Sequence, residues 1–118
     1  MNSNAVIYHN PKCSKSRETL QILQDNNIEP EIIEYLIYPP SVQELKNIIT
    51  MLGVSARDMV RSSEPIYKET GLADGSFSED DISETICKHP ALLQRPIVVF
   101  RNRAIIGRPP AGVLEIIA

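Results

Sequence analysis

Apolar and polar positions alternate in two rhythms along the chain, and the changes of rhythm mark its elements. NAVIYHN is a short apolar run that predicts a strand ending at residue 8 or 9. Pro11 follows, and helical spacing begins at Ser14, with Leu20 and Leu23 on an inner face and Thr19 beside them. DNNIEP stops that helix, and EIIEYL reads as a second strand. A strand, a helix and a strand within about 35 residues form a βαβ unit, whose handedness makes the strands parallel.

The next segment, PPSVQELKNIITMLG, has the clearest helical pattern. Ser41 and Glu44 fit a capping box, Leu45, Ile48, Ile49 and Leu52 form an apolar stripe, and Gly53 fits the stop. Two short helical pieces are expected from near Ser55 and near Ser63, the second ending at Gly71. SEDDISETICKHP opens with Ser78 and a run of acids, which suits a helix N-terminus, and ends before Pro90. PIVVF is a buried strand, RNR a tight turn and AIIG its return partner, together a hairpin. PPAGVLEIIA predicts a short closing helix. The order is β-α-β, a helical insertion over about 41–95, then β-β-α. That is an α/β chain with the thioredoxin-like order: a mixed four-stranded sheet flanked by helices.

Composition narrows this little further. With 118 residues, 42% apolar and 23% charged, the chain suits a single globular domain with a core that needs no metal or disulfide staple. A net charge of −3 weighs against nucleic acid as the main partner. No apolar run approaches the roughly 18 residues of a membrane span. The N-terminus has no basic segment followed by a long apolar stretch, so no signal peptide is expected and the cytoplasm is the expected compartment. Cys13 and Cys87 lie far apart in sequence and are not expected to pair in a reducing compartment. With only His9 and His89 to join them, no metal site is expected.

The chemistry concentrates in YHNPKCSKSRETL. A thiol attacks as its thiolate, and helix N-termini favour anions through unpaired N–H groups and the macrodipole. Cys13 falls at or just before the first helical residue, with Lys12, Lys15 and Arg17 nearby. Ser16, from the first turn, and His9, from the strand end, are candidates to hydrogen-bond the sulfur. The bland alternative is a buried structural cysteine. C-x-x-S lacks the second cysteine with which a dithiol enzyme resolves its own mixed disulfide, so an outside thiol is expected to complete any cycle. Arginine at C-x3-R rather than C-x5-R argues against a low-molecular-weight phosphatase loop. Cys87, late in a helix near Ile82 and Ile86, reads as a core or half-buried residue.

Arginine forks suit tetrahedral oxyanions. Arg95 precedes Pro96 and a buried strand. In a thioredoxin-like order that loop faces the first helix N-terminus and usually holds a cis-proline, which would put Arg95 beside Cys13. Arg108 follows the last strand. Arg57, Arg101 and Arg103 read as surface charges.

With these residues in order, the sequence resembles the glutaredoxin-dependent arsenate reductase family, the thioredoxin-fold ArsC type. YHNPKCSKSRETL matches the family's H-N-P-x-C-x-x-S-R signature, and EPEIIEYLIYPPS, RPIVV and GRPP match later blocks. The resemblance implies that Cys13 attacks arsenate, that Arg61, Arg95 and Arg108 bind the oxyanion, and that His9 and Ser16 help hold the thiolate. It gives Asn10 a loop-shaping role. It implies glutathione as co-substrate, glutaredoxin as partner and no bound cofactor. The chain's length is nearer to the family's short chromosomal members. Two other readings share the fold: a monothiol redox protein without arsenate turnover, and an Spx-like regulator that binds RNA polymerase. The regulator typically carries C-x-x-C, which is missing here.

Overall fold

Four strands share one sheet because the chain supplies two apolar strands for its centre and two weaker ones for its edges. The computed structural model describes residues 5–117. Asn4 and Ala118, at the ends of the first strand and last helix expected from sequence, lie outside the described residues. The chain divides into two compact units, one running to Tyr38 and resuming at Arg95, the other spanning Pro39–Gln94.

The first unit holds the sheet. Strand β1 (Ala5–His9) leads to helix α1 (Ser14–Asp25) and strand β2 (Glu31–Glu34). After the break come β3 (Ile97–Phe100), β4 (Arg103–Ile106), a 3-10 turn at Pro110–Val113 and a last helical turn at Leu114–Ile117. The strand order is β2-β1-β3-β4. β1 runs parallel to β2 and antiparallel to β3, and β3 runs antiparallel to β4. This is the mixed sheet of a thioredoxin-like fold. Central β1 and β3 are apolar and mostly buried, whereas EIIE is mostly exposed, as an edge strand flanked by charges should be. Arg101 and Asn102 take positive φ in the turn between β3 and β4, where a tight hairpin demands it. The core of this unit gathers Ile7, Leu23, Ile28, Val98, Phe100, Val113 and Ile116.

Register brings four chain segments to one edge. His9 pairs with Glu34, Tyr8 with Ile97, and Ile97 with Ile106. The segments just beyond those ends are Asn10–Cys13, Tyr35, Arg95–Pro96 and Gly107–Arg108. They therefore gather at the carboxyl ends of β1 and β2, where open α/β sheets place their ligands.

The second unit is helical: α2 (Val42–Leu52), a 3-10 turn (Ala56–Met59), α3 (Pro65–Thr70), α4 (Glu79–Lys88) and a 3-10 turn (Pro90–Leu92). The expected capping box closes at Ser41 and Glu44, and Gly53 ends α2 at φ 70°. A second box at Ser78 and Asp81 opens α4. α4 packs on α2 and on the first 3-10 turn, burying Leu45, Ile48, Met59, Ile82 and Ile86. Leu52, expected in the stripe, is only half-buried. Arg57, read from sequence as a surface charge, straps the unit by donating to the carbonyls of Leu72 (2.6 Å) and Asp74 (3.2 Å). Among the described residues no helix is long and apolar enough to cross a membrane.

Candidate active site

The loop after β1 is built to present a sulfur. Asn10 Oδ1 accepts the Lys12 N–H (3.0 Å), and the Asn10 carbonyl accepts the Cys13 N–H (2.9 Å). Arg17 reaches back to donate to the Pro11 carbonyl (2.8 Å). Asn10 thus shapes the turn with its own side chain, as asparagine does in Asx-turns. Cys13 is the N-cap of α1, extended at φ −94° and ψ 123°, and its carbonyl accepts the Arg17 N–H at 3.0 Å. The thiol makes no conventional capping hydrogen bond. Partial burial opposes its ionisation, but the Ser16 N–H, the Arg95 guanidinium and the Lys15 N–H outweigh that effect and lower its pKa. The half-exposed sulfur is therefore disposed to react as thiolate.

Two of the three arginines singled out from the sequence meet at this sulfur. Arg108 Nη2 stands 3.7 Å from Cys13 Sγ, and its Nε donates to the Arg95 carbonyl at 2.7 Å. Arg95 faces the same sulfur. The Arg95–Pro96 bond is cis, as the sequence leads one to expect, and Arg108–Pro109 is cis as well, which it does not. Gly107 explains how β4 comes so close to α1. A Cβ there would lie 2.5 Å from Thr19 Oγ1 and 2.8 Å from Pro96 Cγ, so the close approach requires glycine. Its N–H donates to the Pro96 carbonyl at 2.9 Å, tying the two arginine-bearing segments together.

His9 and Ser16 are brought together, but on each other. His9 Nδ1 and Ser16 Oγ share a buried hydrogen bond of 2.6 Å, and Ser16 Oγ also accepts the Asn10 N–H (3.1 Å). The Ser16 side chain is fully buried. The part of Ser16 that favours the thiolate is its backbone N–H, while its hydroxyl is engaged by His9. Burial lowers the His9 pKa, against the pull of Glu34 and with help from Arg17. A neutral imidazole in this position braces the loop beneath Cys13.

Arg61 belongs to the second unit, where Nη1 pairs with Glu64 Oε2 at 3.2 Å. Cys87 lies in the same unit and is half-buried. Its thiol is pushed up by burial and then by the Glu44 carboxylate.

One residue of the site escapes sequence reasoning. Tyr35, read as part of the second strand, sits one position beyond it and is fully buried. Burial raises its pKa, opposed by Arg95, while the Cys13 thiolate adds to the rise. A tyrosine closing a strand beside the nucleophile loop is the signal that was available.

A family model, that of the ArsC family, matches residues 8–116, a span containing every residue of this site. The chain is 48% identical over 118 residues to YfgD of Escherichia coli (strain K12), an uncharacterized protein, covering 99% of each chain. It is 46% identical over 104 residues to an arsenate reductase of Neisseria meningitidis serogroup A, covering 87% of this chain and 89% of that one. The solved structure of an arsenate reductase from Vibrio cholerae superposes with a TM-score of 0.95 at 48% identity, covering 99% of this chain and 100% of the other. A match of this length, in sequence and in fold alike, means that the chain belongs to the ArsC family.

Proposed function

We propose that the protein is a glutathione- and glutaredoxin-dependent arsenate reductase that works through Cys13. The observation that carries this reading is the N-cap thiol with a lowered pKa, facing Arg95 and with the Arg108 guanidinium 3.7 Å from the sulfur. A nucleophile ringed by forked cations suits a tetrahedral oxyanion better than a neutral substrate.

In the proposed cycle the Cys13 thiolate attacks arsenic. An S–As bond forms, an As–OH bond breaks, and the hydroxide leaves as water once protonated. Arg95 and Arg108 offset the negative charge of arsenate and of the adduct. The thiolate of glutathione then attacks the Cys13 sulfur. An S–S bond forms, the S–As bond breaks, and its electron pair stays on arsenic, which is released as arsenite. Two sulfurs have been oxidised and arsenic reduced from As(V) to As(III). A thiolate of glutaredoxin takes over the glutathione sulfur and returns Cys13. Ser16 at the C-x-x-S position supplies no second thiol, which is why an outside reductant is assigned. Arg61 is assigned to oxyanion binding by the family resemblance. The cycle needs reduced glutathione and is placed in the cytoplasm.

The test is steady-state arsenate reduction by purified protein with glutathione, glutaredoxin and an NADPH-coupled readout. Turnover that vanishes in Cys13→Ser supports the proposal. If the wild type forms a glutathione adduct on Cys13 but does not reduce arsenate, the monothiol redox reading takes its place.

A further inference from the structure

Among the described residues, two buried side-chain polar atoms have no hydrogen-bond partner: the Tyr35 hydroxyl and Arg95 Nε. Both belong to the same site. Buried polar groups are almost always paired, because leaving one unpaired costs about 1–3 kcal/mol. Two unpaired polar atoms in one place can take an acceptor from outside the chain. Tyr35 follows β2 directly, at the sheet edge to which register brings Asn10, Arg95 and Arg108. Its hydroxyl faces the Asn10 amide and the Arg95 guanidinium closely enough for both to favour the phenolate, yet forms a hydrogen bond of sound geometry with neither.

We propose that Tyr35 Oη–H and Arg95 Nε–H together donate hydrogen bonds to one face of the oxyanion that meets Cys13, making Tyr35 a substrate-binding residue. The inference rests on the oxyanion reading of the Cys13 site. The division of labour is chemical: the guanidinium supplies charge and the phenol supplies direction. A phenol whose pKa is raised by burial keeps its proton at neutral pH, so it can donate to an anion. It selects ligands that present an unprotonated oxygen on that side, which a tetrahedral oxyanion does and a neutral disulfide does not.

The test uses Tyr35→Phe, which keeps the ring, in a Cys87→Ser background so that Cys13 is the only thiol. Protection of Cys13 from iodoacetamide is titrated with arsenate and, separately, with inorganic phosphate. Losing one hydrogen bond to a charged group should weaken anion protection on the order of 10-fold or more. The unliganded variant should still be alkylated at the background rate, and its Tm should hold or rise, because an unpaired buried donor has been removed. Equal protection of wild type and variant by the anions overturns the Tyr35 assignment alone. A wild type that neither anion protects overturns the oxyanion reading and the Tyr35 assignment with it. A Tm drop in the variant means that the hydroxyl is bonded within the protein, and also overturns the assignment.

Discussion

Cys13 and Cys87 are the same residue type, each half-buried, yet they sit at opposite ends of two helices and meet opposite fields. Cys13 caps the start of α1, where N–H groups of the first turn and the Arg95 guanidinium favour the anion. Cys87 is the penultimate residue of α4, with the Glu44 carboxylate in range, and no cation is among the groups that move its pKa. Burial pushes both thiols up, and only Cys13 has enough positive partners to reverse it. The contrast teaches that degree of burial says little about thiol reactivity. What decides is which end of a helix the sulfur lies at and which charges face it.

The largest test of the contrast is to remove each sulfur in turn. Cys13→Ser should abolish arsenate reduction, because a hydroxyl at the same place is far less acidic and less nucleophilic. Cys87→Ser should retain most turnover in the same coupled assay. Turnover that stalls in Cys87→Ser after the first adduct would make Cys87 a resolving thiol and erase the contrast. Next in size come the cations. Arg95→Ala and Arg108→Ala should each lower kcat/KM for arsenate on the order of 100- to 1000-fold, the usual loss when one donor to a developing oxyanion is deleted. Plain thiol–disulfide exchange at Cys13 should survive far better, since it involves no oxyanion. An equal loss in both reactions would mean that the arginines serve the thiolate alone.

A pH titration sharpens the comparison further. From the ordinary thiol value of 9.0, Cys13 is lowered and Cys87 raised. Residue-resolved alkylation followed by mass spectrometry should therefore find Cys13 modified at pH values where Cys87 is inert. Stability should respond with opposite signs. The Cys13 contribution is full above the unfolded-state pKa and is lost as pH falls through its lower folded value. The Cys87 contribution is full below the unfolded-state pKa and is lost as pH rises through its higher folded value. Two alkylation profiles that superimpose would remove the physical basis of the contrast.

Much of this was legible in the sequence because it is local. Ser41 with Glu44, and Gly53 eleven positions beyond its capping box opener's successor Val42, announce α2 through contacts within a few residues. The strand–Pro–helix junction announces the N-cap position of Cys13 in the same way. What was not legible depends on contacts across the sheet. Tyr35 belongs to the site because β2 pairs with β1 in a register that aligns Glu34 with His9. Arg108 holds the Arg95 carbonyl across a hairpin, and Gly107 is required by Thr19, which lies on another element. The inner face of α1 is also disguised. Ser16, Thr19 and Leu23 are its buried residues, while Leu20, expected inside, is only partly so. Two small polar residues can line that face because Thr19 donates to the Lys15 carbonyl (2.8 Å) and Ser16 engages His9.

Ser16 yields the smallest and most discriminating prediction, because its two halves act on different targets. Its N–H favours the Cys13 thiolate, and its hydroxyl holds His9 Nδ1 and the Asn10 N–H. Ser16→Ala keeps the first and deletes the second. It should cost about 1–3 kcal/mol of stability in urea denaturation, the penalty for leaving buried polar partners unpaired. The alkylation profile of Cys13 should move little along the pH axis, since the backbone donor remains in place. If the profile shifts strongly upward while stability holds, the hydroxyl acts on the sulfur directly. The thiolate would then depend on the Ser16 hydroxyl more than on the N–H groups of the helix start, and the contrast between the two cysteines would no longer be one of helix ends.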